Sequence, residues 1–217
     1  MTPEYFSHER VEIAALVPRG ARRVLDVGCG EGRLGALLKR ERPAIEIVGV
    51  ELSADAHAKA TGVLDRVERR DAAQGPPEDA GRFDCVVFAD VLEHTIEPWT
   101  VLTAYRGALA PGGVVVVSIP NVAHWRVRAE LLQGRFRYQA EGILDRSHLR
   151  FFDHEAARAL LPRAGYELTT FQRALDDWPY TPRLRLPRPR RRVLDGAPSR
   201  LDGVLDALTY QYLMVGR

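Results

Sequence analysis

At 217 residues, with 46% hydrophobic and 28% charged side chains, the chain suits one domain around a sizeable core and is too short for two ordinary domains and a linker. Its formal net charge is +2, and its longest unbroken run of Val, Val114 to Val117, is far from the roughly 20 apolar residues of a membrane span, so that run reads as a buried strand. The first ten residues carry early charges and no apolar core of a leader, so we expect no secretory signal and a cytoplasmic location. Cys29 and Cys85 lie far apart with no metal or disulfide spacing, and both read as packing residues.

Along the chain, apolar runs alternate with helical patterns, which predicts a parallel sheet covered by helices. HERVEIAALVP predicts a first helix stopped near Pro18. RRVLDVG is the first strand, and GRLGALLKRER, with Leu34, Leu37 and Leu38 on one face, is the helix after it. AIEIVGVEL is the second strand, SADAHAKA a short helix capped by Ser53, DRVERRDA a weak third strand and FDCVVFAD a strong fourth. EPWTVLTAYRGALAPGG predicts a helix ending at the Pro-Gly-Gly turn, which feeds the fifth strand, VVVVSIP. Residues 121–150 show no clear period. DHEAARALLPRAG is a helix with Asp153 as N-cap and Gly165 beyond its end. YELTTFQRAL and TYQYLMVGR are the last strands. Between them, residues 176–200 read as a Pro/Arg-rich exposed loop, followed by a short helix, SRLDGVLDAL.

Residues 24–35, VLDVGCGEGRLG, match G-x-G-x-x-G formally at Gly30, Gly32 and Gly35. In a nicotinamide fingerprint the first glycine sits at the strand end. The apolar strand stops here at Val27, so the turn begins two residues earlier and reads Gly28-x-Gly30-x-Gly32, with Asp26 inside the strand. A carboxylate at that point would repel a pyrophosphate and suits a ligand with a cationic end. Gly35 then reads as a close-packing residue of the following helix.

VLDVGCGEG resembles motif I of the class I S-adenosylmethionine-dependent methyltransferases. GVELS, RRDAAQ, FDCVVFADVLEHTIEP and LAPGGVVVVSIPN resemble the family's next four motifs, in the family's order. The resemblance implies a Rossmann-like α/β fold with a seven-stranded, mostly parallel sheet, an antiparallel last strand and helices on both faces. It implies S-adenosylmethionine held by Asp26, Gly28, Cys29, Gly30, Glu51, Leu52, Asp71, Ala72, Ala89 and Asp90. Glu51 would accept from the ribose hydroxyls and Asp71 would meet the adenine amino group.

Methyl transfer to a hydroxyl needs an aligned acceptor and a destination for its proton. The carboxyl ends of the fourth and fifth strands supply Asp90, Glu93 and His94, then Asn121, His124 and Trp125. LEHTIEP is similar to a loop of ubiquinone-pathway O-methyltransferases, which implies Asp90, Glu93 and His94 as ligands of Mg2+ or a similar ion. Without a metal, His94 reads as general base or proton shuttle. The stretch from IPNVAHWRVR to GILDRSHLRFFDHEAARALL resembles sugar O-methyltransferases of polysaccharide and glycan biosynthesis. PNVAHWRVR is also similar to the methionine-biosynthesis W proteins.

In the first of those groups, residues 121–150 would form an acceptor loop or lid. Asp145 and His148 would join His94 at the acceptor, with Asn121, His124, Trp125 and Tyr138 binding it and the aromatic faces stacking on sugar rings. The competing reading makes 145–148 a local turn, with Asp145 capping amides and His148 packed under the next helix. Arg126, Arg128, Arg135 and Arg137 read as an acceptor phosphate contact or a solvated face. Arg183, Arg185, Arg188 and Arg190 to Arg192 read as an exposed basic loop.

The expectation is therefore a single methyltransferase domain over 1–217, acting on a sugar hydroxyl of a saccharide or glycosylated metabolite. Its rivals are a natural-product O- or N-methyltransferase and a binding module that works through a protein partner. A nucleic-acid partner is disfavoured because no base-handling motif follows the fourth strand; the reading admits a homodimer.

Overall fold

The computed structural model describes residues 10–175, 192–195 and 202–217. In chain order the elements are α1 (Val11–Ala14), β1 (Arg23–Val27), α2 (Arg33–Glu41), β2 (Glu46–Glu51), α3 (Ala54–Ala60), β3 (Arg66–Arg69), β4 (Phe83–Ala89), α4 (Pro98–Tyr105), β5 (Leu109–Pro120), α5 (Trp125–Leu132), α6 (His154–Arg163), β6 (Leu168–Leu175), β7 (Arg192–Asp195), α7 (Asp202–Leu208) and β8 (Thr209–Gly216). The sheet order is β3-β2-β1-β4-β5-β8-β6-β7. The first five strands are mutually parallel, and β8 runs antiparallel between β5 and β6. The expected doubly wound class holds.

Residues of β1, β4 and β5 face both ways into apolar cores, which is why they are continuous Val-rich runs rather than alternating ones. Leu25, Val27, Val86, Phe88, Val115 and Val117 pack with Leu102 and Tyr105 of α4 and Leu160 of α6. Val24, Cys85, Val87 and Val116 meet Ile13 of α1 and Leu34, Leu37 and Leu38 of α2 on the opposite face. Both cysteines are free and buried, and burial pushes their thiols well above the ordinary range. A Cβ on Gly35 would lie 2.2 Å from Leu64 Cδ2 and 3.2 Å from Ile47 Cγ2, so this glycine packs α2 against its neighbours as expected. Ser53 and Asp153 accept from Ala56 N and Ala156 N and cap α3 and α6.

Five elements differ from the sequence reading. Helix α4 ends at Tyr105, and β5 already pairs through Leu109 with Phe83 before its register shifts at the Pro-Gly-Gly segment. A Cβ on Gly113 would lie 2.9 Å from the Phe83 carbonyl oxygen, so this glycine lets a bulged strand approach its neighbour rather than stop a helix. Within 121–150, α5 is a helix that buries only Val127, which leaves no apolar stripe to read. The first helix is a single turn, Val11–Ala14. In the expected 176–200 loop, residues 192–195 pair antiparallel with β6 and add an eighth strand. The rest of that loop, with Arg183, Arg185, Arg188, Arg190 and Arg191, lies outside the described residues, as does the start of the helix expected from Ser199. Among the described residues, no helix is long and apolar enough to cross a membrane.

The C-terminal layer closes on a buried charge cluster. Arg173 of β6, 2% exposed, donates from Nε to Asp206 Oδ1 at 3.1 Å. The Tyr212 hydroxyl donates to the same oxygen at 3.2 Å, and His154 Nδ1 lies 3.4 Å from Asp206 Oδ2. Truncating one side of such a pair costs about 3–5 kcal/mol. Asp206→Ala is therefore expected to lose stability on that scale in urea unfolding; a loss below about 1 kcal/mol would contradict this role for the cluster.

Candidate active site

The strand order reverses between β1 and β4, and a parallel sheet opens its crevice at such a point, beyond the carboxyl ends of the strands. Here a cleft of about 390 Å³ is lined by all ten residues expected to hold the cofactor, Asp26, Gly28, Cys29, Gly30, Glu51, Leu52, Asp71, Ala72, Ala89 and Asp90, and by His94. Arg10 and Arg33 also line it, as do Glu31 and Arg70, which lie within the motif stretches but were given no role there.

The turn after β1 follows the reading that starts at Gly28. Gly28, Gly30 and Gly32 have φ of +69°, +55° and +82°, an alternation of left-handed residues that side chains resist. Gly28 N donates to the Val50 carbonyl at 2.7 Å and ties the turn to β2. A Cβ on Gly28 would sit 2.4 Å from Val91 Cγ2. Glu51 holds the far wall: Oε2 accepts from Gly30 N at 2.8 Å and Oε1 from Ser53 N at 2.7 Å. Asp71 caps the short turn Ala72–Gln74 by accepting from Ala73 N at 2.8 Å.

Asp26 is 2% exposed. Its Oδ2 has no hydrogen-bond partner among the described residues. Burial pushes its carboxyl up to about 7, against the pull of the Arg10 charge. A buried carboxylate without a compensating partner is costly, so this group fits a ligand that brings positive charge. Asp90, with φ +56°, turns its carboxylate toward Arg10, the Ser118 hydroxyl and Gln211 Nε2.

Next to the cleft, residues 145–152 dock under the Leu92–His94 turn. The Glu93 carbonyl accepts from Leu149 N at 2.8 Å and Arg150 N at 3.0 Å, and Val122 N donates to the Phe152 carbonyl at 2.9 Å. This brings the three expected catalytic residues together. His94 Nδ1 lies 3.2 Å from Ser147 Oγ and 3.3 Å from the Ser147 carbonyl. Ser147 Oγ donates to Asp145 Oδ1 at 2.6 Å, and Ser147 N donates to the same oxygen at 2.8 Å. Burial pushes the Asp145 carboxyl up, but the two Ser147 donors and the nearby imidazoles outweigh it and hold the group below the usual carboxylate range. The His148 ring meets the His94 ring edge-on at 4.7 Å.

Several residues take other places than expected. Asp145 and His148 do not line the cleft: Asp145 caps the 145–147 turn, and His148, 7% exposed, places Nδ1 3.0 Å from the Ile143 carbonyl. Burial lowers the His148 pKa and favours the neutral ring. Asn121 is fully buried. Its Nδ2 donates to the carbonyls of Asp206 and Thr209, and its Oδ1 accepts from Ala123 N, so it clips β5 to α7 and β8 instead of facing an acceptor. His124, also fully buried, caps α5. Trp125 is half-buried beside it. Tyr138 is exposed and packs edge-on against Phe136, which meets Phe151.

The metal expectation changes as well. Glu93, His94 and His148 converge within 4.8 Å, without Asp90, whose carboxylate is held by Arg10, Ser118 and Gln211. Burial and the Asp90 charge push the Glu93 carboxyl well up, toward the neutral acid. Two imidazole nitrogens and a single carboxyl do not suit Mg2+, which takes oxygen ligands. The residues present do not fit the expected ion.

A profile of the family described as a methyltransferase domain matches residues 3–170. The ubiquinone biosynthesis O-methyltransferase of Cereibacter sphaeroides is 33% identical over 117 residues, 51% of this chain and 46% of that protein. The protein of the same name from Xanthomonas axonopodis pv. citri is 37% identical over 115 residues, 50% and 46% of the two chains. The chain thus spans about half the length of the curated relatives it matches. A crystal structure of a SAM-dependent methyltransferase from Thermotoga maritima, titled a possible histamine N-methyltransferase, superposes with a TM-score of 0.69 at 21% identity, covering 97% and 87% of the chains; at that identity the likeness speaks for the fold.

The cradle predicts a local effect of one methyl group. Gly28→Ala must strain a left-handed residue and displace Val91, so it is expected to lose about 1–3 kcal/mol of stability. It should also weaken S-adenosylhomocysteine binding at least tenfold by calorimetry; wild-type affinity would contradict the close approach at Gly28.

Proposed function

The chain belongs to the methyltransferase domain family, and on that premise we propose that it moves the methyl group of S-adenosylmethionine to a hydroxyl of a saccharide or glycosylated metabolite. The observation that carries the donor half is Asp26, a buried carboxyl at the wall of the cleft with one oxygen lacking a hydrogen bond among the described residues. When bound, S-adenosylmethionine supplies an electrophilic methyl group on a cationic sulfonium. The Gly28–Gly32 backbone lets it approach, the Asp26 carboxylate balances its positive charge, and Glu51 and Asp71 face its ribose and adenine in the roles that the family resemblance implies.

The acceptor half rests on His94, the imidazole of the converging set that lines the cleft. It takes the acceptor hydroxyl proton, while residues 121–150 cover the acceptor. The O-methyltransferase names of the curated relatives support an oxygen acceptor. The choice of sugar rests on the likeness of the 121–152 segment to sugar O-methyltransferases. A phenolic acceptor is the second reading, favoured by the ubiquinone-pathway relatives.

Transfer of labelled methyl groups to a panel of sugars, glycolipid precursors, phenols and amines decides among these. The expected result is labelling of sugar hydroxyls at a rate unchanged by EDTA or added Mg2+; labelling of phenols or amines alone would overturn the sugar assignment. His94→Ala is expected to lower kcat by about 10²–10⁴-fold with S-adenosylmethionine affinity retained, and unchanged kcat would remove the proton-accepting role.

A further inference from the structure

The contacts on one edge of the His94 ring decide which of its nitrogens carries hydrogen. Two atoms face Nδ1, the Ser147 carbonyl oxygen at 3.3 Å and Ser147 Oγ at 3.2 Å. A carbonyl oxygen only accepts. The hydroxyl has one hydrogen, and the 2.6 Å contact with Asp145 Oδ1 claims it, a length proper to a charge-assisted O–H···O bond. Asp145 is held ionised by that bond and by Ser147 N, so it has no hydrogen to return. The hydroxyl therefore presents only lone pairs to the ring, and both neighbours of Nδ1 are acceptors.

We propose that Asp145 and Ser147 are positioning residues that fix neutral His94 as its Nδ1–H tautomer, leaving the Nε2 lone pair as the base for the acceptor hydroxyl. This rests on the hydroxyl-acceptor reading above and adds two residues to it, one of which, Ser147, carried no sequence signal. The proton balance is simple. As the acceptor oxygen bonds the methyl carbon, the donor's S–CH3 bond breaks and its electron pair stays on sulfur, which leaves as the neutral thioether of S-adenosylhomocysteine. The acceptor O–H bond breaks, the proton forms an N–H bond at Nε2, and the resulting imidazolium returns it to solvent. His148 does not compete for the ring, because its own Nδ1 is engaged by the Ile143 carbonyl and its Nε2 is turned toward Glu93 Oε1, 4.0 Å away.

The tautomer is read directly in the protein without acceptor, from long-range 15N–1H spectra of His-labelled chain. Wild type is expected to show His94 with Nδ1 protonated and Nε2 bare. Asp145→Ala frees the Ser147 hydroxyl to donate to Nδ1, so it should move His94 toward Nε2–H and lower kcat about tenfold or more without changing the KM for S-adenosylmethionine. Asp145→Ala combined with Ser147→Ala removes that donor and leaves only the residue 147 carbonyl facing Nδ1. It should restore the Nδ1–H form, which a merely misfolded turn would not do. Asp145→Asn keeps an oxygen acceptor and should retain the wild-type tautomer. An Nε2–H ring in wild type, or a double variant that stays Nε2–H, would overturn the proposal. If His94 is Nδ1–H and no hydroxyl on the panel is methylated, the acceptor reading has failed and the base role falls with it.

Discussion

A carboxylate that the fold buries without fully satisfying organises this molecule. Asp26 sits one residue before the end of β1, between β2 and β4, where the strand order reverses and the sheet opens. Moving a carboxyl from water into that position costs free energy unless it is neutral or meets a cation, and the raised pKa of about 7 records that cost. The three left-handed glycines after β1 keep side chains out of the space beside it. Arg10 is already paired with Asp90 across the same cleft, so its positive charge offsets that of the Asp26 carboxylate only in part.

The docked 145–152 segment depends on this frame through the backbone. Strand β4 ends in the left-handed Asp90 and the tight Leu92–His94 turn, which drives Glu93 inward and leaves His94 at the cleft. The Glu93 carbonyl then pins the chain at Leu149 and Arg150, and that anchoring sets Ser147 beside the imidazole. The local-turn reading of this stretch describes its geometry. Asp145 does cap a local turn, and that turn is what holds the imidazole. The clip made by Asn121 to α7 and β8 fixes where this segment leaves the sheet.

The donor side was legible because its signals are local. Glycine spacing, an acid inside an apolar strand and an acid at the next strand's end are adjacent in sequence and map onto one cleft. The acceptor side was only half legible. Asp145 and His148 stood out as titratable groups, but Ser147 is an ordinary residue whose meaning comes from a contact 53 positions away. Arg10 has the same character, reaching Asp90 from 80 positions away. Helix α5 escaped because a helix burying one side chain has no periodicity, and the early start of β5 was hidden by a Pro-Gly-Gly segment that reads as a turn. Asn121 and His124 drew notice as polar residues at a strand end, whereas the structure spends them on backbone clips and caps.

The account stands on Asp26 exchanging a proton for a bound cation. Calorimetry of S-adenosylmethionine binding at pH 7, repeated in buffers of different ionisation enthalpy, counts protons moved on binding. A carboxyl half-protonated at that pH should release about half a proton more in the wild type than in Asp26→Asn, and the wild type should bind more weakly as pH falls below 7. Equal proton counts in the two proteins, with equal affinities, would contradict the claim that this carboxylate holds the methyl donor.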